Sequence, residues 1–289
     1  MRFFGLLAAL LAGLLAATPA LADPPLWHVR DADTEMVLFG SIHALPPGIE
    51  WRTVQLDSAL ENADLVAFEI LTPANEAEEM EMFMPFLRYL IADRPLSEVV
   101  TAETFTRAVS AAAAQDLDVL SLQMMKPWAA ALMLDMGAEE ALGRSADLGV
   151  DTILEQSLAE GRRKEALDTS DLLLASMKAL AEMGDDEGEA MLIEVLDGLD
   201  REELDLQIET AWAAGDIAPI EAEMRMMQEE APRLYKALLV DRNHAWMPAL
   251  TRMMDTEGRV VVVVGAAHMV GEDGLPTLLR AAGYDVEGP

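Results

Sequence analysis

Short apolar runs near the two ends of the chain have the character of buried β-strands. Met36–Phe39 leads into Gly-Ser-Ile-His, and Leu65–Phe68 leads into a glutamate. Val260–Val264 is a run of five β-branched residues, which is typical of a strand buried on both faces. Between the first two runs, apolar residues recur at helical spacing from Leu56 to Ala63. The order strand, helix, strand predicts a β-α-β unit with a parallel pair of strands.

The remaining pattern predicts helices in the middle of the chain and further strands at its ends. Residues 25–43 read as a hairpin around a polar turn at Asp31–Asp33, and residues 284–286 can form a last strand. From about residue 75 to residue 255, Leu and Met recur mostly at helical spacing, and no repeat or low-complexity linker divides the chain. We therefore predict one α/β domain over residues 23–289, with a central sheet built from N- and C-terminal segments and a large helical insertion at about 75–255.

The first 22 residues have the features of a secretory signal peptide. Arg2 precedes an apolar stretch, and Ala20-Leu21-Ala22 forms a small-x-small cleavage site. The apolar stretch is short for a membrane span, and an uncleaved anchor is the alternative. We expect secretion across the inner membrane into the periplasm, with no stable membrane anchor after signal cleavage.

Charge and cysteine content exclude several classes of function. The chain has 52 acidic and 20 basic residues and a net charge of −32, which repels phosphate backbones, so we expect no nucleic-acid partner. It has no cysteine, which excludes disulfides, thiolate nucleophiles and thiolate metal ligands. A hydrophobic content of 52% argues against disorder despite the charge.

Two of the four histidines share one sequence pattern. Gly40-Ser-Ile-His43 and Gly265-Ala-Ala-His268 are both G-x-x-H, and each follows an apolar strand. Glu69 ends a third strand, and ligands gather outside the carboxyl ends of strands in open α/β sheets. Two imidazoles and a carboxylate suit a divalent metal, which activates bound water. The alternative is that each histidine is structural and needs only a hydrogen-bond partner; the matching contexts favour a site.

Other polar residues have weaker signals. Arg242 near such a site could hold a substrate carboxylate or stabilise an oxyanion, and the alternative is an ion pair with a surface acid. His28 and His244 are interpreted as structural, and Asp151 as the cap of a helix. Lys126 precedes Pro127-Trp128 and is interpreted as the start of a helix.

Six segments in this order resemble the TraB/GumN family over about residues 27–287. They are FGSIHALP, DLVAFEI, KPWAAALML, LGVDTILEQSLAEGRRKEALDT, DRNHAW and VVVVGAAHMVGEDGLPTLLRAAGYDV. The family is related to the Tiki metal-dependent peptidases, and the resemblance implies a TraB/Tiki/erythromycin-esterase-like fold. It also implies that His43, Glu69 and His268 form the active centre and hold Mn²⁺ or Co²⁺, with Zn²⁺ as another option. Arg242 and Asn243 match the Arg-Asn motif of the family, and the resemblance implies that they belong to the site.

These observations lead to competing hypotheses of function. The first is an exported metal-dependent hydrolase, a peptidase, in which Glu69 is either a metal ligand or a general base. A metal-free variant would use Glu69 and a histidine to activate water. The second is a non-catalytic periplasmic protein that binds a peptide or small molecule, and the third is an accessory role in exopolysaccharide export. In the first two cases, the partner is a peptide or small-molecule ligand.

Overall fold

The structure is a computed structural model that describes residues 23–199 and 206–289. The predicted signal peptide at residues 1–22 lies outside the described residues. Among the residues that the structure describes, no helix is long and apolar enough to cross a bilayer.

One mixed sheet of six strands forms the centre of the described part of the chain. Its spatial order is β4-β3-β5-β2-β1-β6. β2, β3, β4 and β5 run parallel to one another, and β1 pairs antiparallel with both β2 and β6. The strands are β1 (Leu26–Arg30), β2 (Glu35–Ser41), β3 (Leu65–Phe68), β4 (Lys164–Ala166), β5 (Arg259–Gly265) and β6 (Asp285–Glu287).

Helices fill most of the chain between β3 and β5 in the described ranges, so the predicted α/β fold with a helical insertion is confirmed. The helices are α1 (Val54–Asn62), α2 (Glu76–Leu90), α3 (Leu96–Val99), α4 (Ala102–Ala114), α5 (Val119–Gln123), α6 (Pro127–Ala141), α7 (Val150–Ser157), α8 (Ser170–Ala181), α9 (Asp185–Leu199), α10 (Gln207–Ala213), α11 (Ala218–Glu230), α12 (Pro232–Tyr235), α13 (Asp241–Thr256) and α14 (Leu275–Ala281). Short 3₁₀ turns cover Ala146–Leu148 and Ala266–Met269, and a π-helical turn covers Lys236–Val240.

The valine run of β5 is buried on both faces, as predicted from its composition. Val260, Val262 and Val264 pack in a core with Trp246 and other residues of α13 and with α14. Val261 and Val263 alternate to the opposite face, where α1, α7, α10 and α11 cover the sheet. Because side chains alternate along a strand, an uninterrupted run of β-branched residues fills both cores at once.

Two features of the sheet differ from the predicted arrangement. β2 and β3 are parallel, as a β-α-β unit requires, but β5 lies between them and pairs with both. β4 is an edge strand inside the region that was expected to be mostly helical, and it pairs with β3. β4 has only three residues, and two of them, Lys164 and Glu165, are residue types that rarely predict a strand. Pairing with β3 therefore determines the conformation of β4.

A separate helical layer packs away from the sheet. Residues of α4, α6 and α9 form a buried cluster around Leu134 and Leu192. Lys126 precedes α6 and donates from Nζ to the carbonyl oxygen of Ala181 at 3.0 Å, while Trp128 is buried in the core. The Lys-Pro-Trp segment is therefore the start of a helix, as its sequence indicates.

Candidate active site

Polar side chains gather at the edge of the sheet where the four parallel strands end. The carboxyl ends of parallel strands lie on one edge, so residues that follow different strands become neighbours. The structure brings together the two histidines and the glutamate singled out by the sequence, and it adds an aspartate. In strand order these residues are His43 after β2, Glu69 after β3, Asp168 after β4 and His268 after β5.

Glu69 is the centre of this cluster. Its Oε1 lies 3.6 Å from Nε2 of His43 and 3.5 Å from Nε2 of His268. The same oxygen accepts the backbone N–H of Gly265 at 2.6 Å, and Oε2 accepts a bond from Arg242. Burial raises the pKa of Glu69, but the interactions with His268, Arg242 and His43 outweigh it and lower the pKa to about 2. The Glu69 side chain is therefore a carboxylate at neutral pH.

Gly265 allows the backbone of β5 to approach this carboxylate closely. A Cβ atom at position 265 would lie 2.8 Å from Nε2 of His43 and 3.1 Å from Oε1 of Glu69. Any side chain there would stand between the imidazole and the carboxylate. The close approach of His43 and Glu69 to the backbone therefore requires a glycine at position 265.

His268 is held as a neutral imidazole by its two hydrogen bonds. Its Nδ1 lies 2.6 Å from Oδ1 of Asn243, an oxygen that can only accept, so Nδ1 carries the proton. Its Nε2 lies 3.2 Å from Nη1 of Arg242, which can only donate, so Nε2 presents a lone pair. Burial lowers the pKa of His268, and the charge of Arg242 adds to this against the opposing effect of Glu69, so the pKa falls to about 3.

His43 has the opposite protonation preference, although it belongs to the same pattern. Its Nδ1 lies 3.1 Å from Oδ1 of Asp151, and 57% of its side chain is exposed. Partial loss of hydration lowers the pKa of His43, but the Asp151 hydrogen bond and the charge of Glu69 outweigh it and raise the pKa to about 9. The two histidines are therefore an exposed imidazolium and a buried neutral imidazole, with Glu69 between them.

Asp151 does not cap a helix, and that interpretation was wrong. Gly149 is the cap of α7, and Asp151 lies in the first turn with its side chain against His43. A carboxylate in a first helical turn is favourable for the helix dipole, which explains the similar local sequence signal.

Arg242 donates all five of its N–H groups within the protein. Nε and Nη2 donate to the two oxygens of Asp168 at 3.3 and 2.7 Å, and Nη2 also donates to Glu69. Nη1 donates to the carbonyl oxygen of Leu238 at 3.1 Å and to Nε2 of His268 at 3.2 Å. A guanidinium has five N–H donors, so no donor is left for a substrate in this arrangement. Arg242 holds the cluster together, and the expected direct contact with a substrate would require it to give up one of these bonds.

Asn243 and Trp246 support the cluster from α13. Asn243 is buried, and its Nδ2 donates to the carbonyl oxygen of Asp273 at 2.8 Å, which fixes its Oδ1 toward His268. The indole N–H of Trp246 donates to Asp168 at 2.8 Å, and the ring centres of Trp246 and His268 are 4.5 Å apart. These contacts make Asn243 a positioning residue for His268.

The remaining histidines lie outside the cluster. His28 is on β1, where its Nδ1 lies 3.2 Å from Oε1 of Glu35. His244 is more than half exposed and lies 3.9 Å from Asp273. Neither of these two histidines forms a hydrogen bond or an ion pair with Glu69 in the part of the chain that the structure describes.

The cluster has the donor types that a divalent ion requires, but its arrangement does not fit one. Across the described ranges, no group of three or more His, Asp or Glu residues is placed so that it could hold a metal. Arg242 donates hydrogen bonds to Nε2 of His268 and to one oxygen of Glu69. A metal held by these two residues would need the same lone pairs. Metal binding by His43, Glu69 and His268 stays a prediction.

Two cavities meet at His43. The larger has a volume of about 360 Å³, and His43, Arg242 and His268 form its polar end. The smaller has a volume of about 240 Å³, and Glu69 and Asp151 lie in its wall. His43 thus borders both cavities.

Comparisons with known proteins agree with the family resemblance. The family model described as "TraB/PrgY/gumN family" matches residues 25–288. Two similar curated proteins, from Escherichia coli (strain K12) and Shigella flexneri, are both described as "Uncharacterized protein YbaP". Each is 26% identical over 253 residues, which cover 84% of this chain and 87% of the relative. No solved structure matches.

Proposed function

The chain belongs to the TraB/PrgY/gumN family, and from that premise we propose that it is an exported hydrolase that cleaves amide bonds in peptides. The observation that carries the proposal is the contact of one carboxylate oxygen of Glu69 with both G-x-x-H histidines, at 3.6 and 3.5 Å. A carboxylate between two imidazoles of opposite protonation state is suited to acid–base catalysis. Family membership alone supplies no reaction, because the relatives described above are uncharacterised.

His43 and Glu69 have complementary roles in the proposed reaction. His43 is protonated and Glu69 is ionised near neutral pH, given pKa values of about 9 and 2. In the proposed reaction, Glu69 accepts a proton from water while the water oxygen bonds to the carbonyl carbon. His43 then donates its Nε2 proton to the amide nitrogen as the C–N bond breaks. A proton transfer from Glu69 to His43 restores the starting state.

The low pKa of Glu69 makes it a weak base while His43 is protonated, and it favours return of the proton to His43 at the end of the reaction. Part of the stabilisation of the carboxylate comes from the positive charge of His43. Glu69 therefore accepts the proton as the C–O bond forms and the attacking water becomes acidic, and it passes that proton to His43 once the C–N bond has broken and His43 is neutral. Arg242 and Asn243 keep His268 neutral beside this pair.

A specific observation also favours the second candidate, a peptide-binding protein without catalysis. Both oxygens of Glu69 already accept hydrogen bonds, from Gly265 and from Arg242. A carboxylate held in this way is a weak base until those bonds lengthen. The same cavities would then bind a peptide without cleaving it.

One experiment separates the two candidates. The mature chain is stripped with a chelator and incubated with a peptide library, alone and with Mn²⁺, Co²⁺ or Zn²⁺, and new termini are identified by mass spectrometry. We expect cleavage that falls by about 100-fold or more in Glu69→Gln and in His43→Gln. His244→Gln is the matched control, because His244 is equally exposed but lies outside the cluster.

Two outcomes would contradict hydrolysis by this site. Cleavage that persists in Glu69→Gln would exclude Glu69 from the reaction. Tight peptide binding with no cleavage under any metal condition would favour the binding protein. Restoration of cleavage only by a metal would support the metal-dependent form implied by the family resemblance.

A further inference from the structure

The larger cavity beside His43 is mainly apolar away from its polar end. We call this part the apolar pocket; its walls are formed by Ile208, Ile220, Met224, Met227, Leu238 and Leu239. These residues come from α10, α11 and the π-helical turn before α13. The turn joins directly to the helix that carries Arg242, so the pocket and the cluster share one structural support.

We propose that the apolar pocket is the specificity pocket of the site and takes a bulky apolar side chain next to the scissile peptide bond. This inference rests on the proposed function and adds the class of substrate. His43, Arg242 and His268 line the same cavity, so a side chain in the pocket brings its own backbone to the acid–base cluster.

The chemistry of the walls selects apolar over acidic side chains. An acidic side chain among these apolar walls loses its hydration, and the cations at the polar end, Arg242 and His43, are already paired with carboxylates. Glu223 lies at the exposed margin, and the chain as a whole is strongly acidic, so both repel aspartate and glutamate. Met224 and Met227 are flexible, which suits a pocket that accepts leucine, methionine and phenylalanine rather than one shape.

An unpaired hydroxyl lies beside this cavity. Ser41 lines the cavity and is 1% exposed, and its Oγ has no hydrogen-bond partner among the described residues. A buried polar group without a partner is costly, so its presence calls for an explanation. The hydroxyl oxygen has less than 1 Å² of accessible surface, so a bound peptide would pair with it only after the Ser41 side chain turns toward the cavity.

The second cavity favours an extended chain over a small molecule. It shares His43 with the larger cavity and is lined by Phe68, Ile70 and Val263 as well as by Glu69 and Asp151. Because His43 lines both cavities, a ligand that occupies both lies against its imidazole. A polypeptide continues in both directions from its scissile bond and fits this arrangement.

The test measures binding and cleavage separately. The probes are short capped alanine peptides with one central Leu, Met, Phe, Ala or Asp, and their affinity is measured by calorimetry with the full mature chain. We expect the Leu, Met and Phe peptides to bind about 10-fold or more tightly than the Ala peptide, and the Asp peptide to bind least. The same order is expected in the cleavage rates.

A change in pocket volume should change this preference. Met227→Trp fills the pocket and is expected to lower the affinity for the Leu peptide by about 10-fold, whereas Met227→Ala enlarges it and shifts the preference toward Phe. Met226→Trp is the matched control, because Met226 is on the same helix, is 55% exposed and does not line the cavity.

The outcomes distinguish this inference from the proposed hydrolysis. Apolar-selective binding that depends on Met227, without cleavage, supports the pocket and contradicts hydrolysis. Cleavage with equal rates for Leu and Asp peptides supports hydrolysis and overturns the pocket. Equal effects of Met227→Trp and Met226→Trp on peptide affinity also overturn it.

Discussion

The backbone N–H of Gly265 donates to Oε1 of Glu69 across 2.6 Å, joining residues that are 196 positions apart in the chain. This bond puts the end of β5 against the residue that follows β3, and it exists because both strands are parallel neighbours. Because residue 265 is a glycine, the imidazole of His43 has space to approach Oε1 of Glu69. The arrangement of the acid–base pair therefore depends on a residue that itself carries no titratable group.

The first prediction concerns Gly265→Ala. The added Cβ would lie 2.8 Å from Nε2 of His43, a flexible and largely exposed side chain that can move aside. We expect the fold to persist but the His43–Glu69 separation to grow, so that the pKa of His43 falls from about 9. The imidazole titration followed by NMR measures this shift, and hydrolysis should fall with it.

Gly198→Ala is the matched control for that substitution. Gly198 is in helix α9, and no atom lies within 4 Å of an added Cβ. Alanine there should stabilise the protein by about 0.4–1 kcal/mol and leave His43 unchanged. An unchanged His43 titration in Gly265→Ala would contradict the close-approach argument.

The second prediction concerns Asp151→Asn. The hydrogen bond to Asp151 is the main effect that raises the pKa of His43 above its ordinary value of 6.5. A raised pKa means that the folded state binds the proton more tightly, so its stabilisation is complete below pH 6.5 and disappears as the pH rises through about 9. Asp151→Asn should therefore destabilise the protein more at pH 6 than above pH 9, where only the interaction of the carboxylate with the helix dipole is lost.

Urea unfolding at these two pH values measures the effect. Asp57→Asn is the control, because Asp57 pairs with Arg52 on the surface and not with a histidine. The pH–rate profile gives a second readout, since loss of the His43 proton should end general-acid catalysis at lower pH in Asp151→Asn. A profile identical to wild type would exclude His43 as the acid.

The sequence predicts the core of this cluster because its residues follow strands with strong local signals. The valine run of β5 and the apolar run of β3 are recognisable alone, and the strand-end rule then brings Glu69 and His268 together. His43 follows by the same argument from β2. The G-x-x-H pattern does not indicate that His43 and His268 differ in protonation, because the protonation of each ring depends on the side chains that it contacts.

Asp168 and Asp151 were missed as site residues for a physical reason. Asp168 follows β4, whose three residues form a strand only by pairing with the edge of β3. Asp151 lies in a helix and is 108 positions from His43, so its local sequence reports the helix and not the distant imidazole. The apolar pocket was likewise unseen, because Met224 and Met227 have the helical spacing of core residues.

The third prediction concerns the protonation state of His268. With Nδ1–H donating to Asn243 and Nε2 accepting from Arg242, the ring should stay neutral between pH 5 and 9, since its pKa is about 3. Asn243→Asp replaces the amide oxygen with a carboxylate, which favours the imidazolium and should raise this pKa. Imidazole ¹⁵N spectra distinguish the Nδ1–H tautomer from the charged ring.

Asn62→Asp controls for the added charge, because Asn62 is exposed and bonds only to Ser58. It should leave the His268 spectrum as in wild type. A wild-type spectrum of the Nε2–H tautomer would contradict the assigned hydrogen bonds.

The fourth prediction concerns Arg242→Met. Asp168 has a side chain with no exposed surface, and Glu69 is nearly buried, so removal of the guanidinium leaves two carboxylates without their main partner. Breaking a buried ion pair in this way should cost about 3–5 kcal/mol of unfolding free energy, measured in urea.

Arg233→Met is the control: Arg233 is 63% exposed and pairs with Glu187 at 3.6 Å, so its loss should cost about 1 kcal/mol or less. Adding Asp168→Asn to Arg242→Met removes one unpaired charge and should recover part of the loss, whereas strictly additive losses would show that the two residues are not coupled.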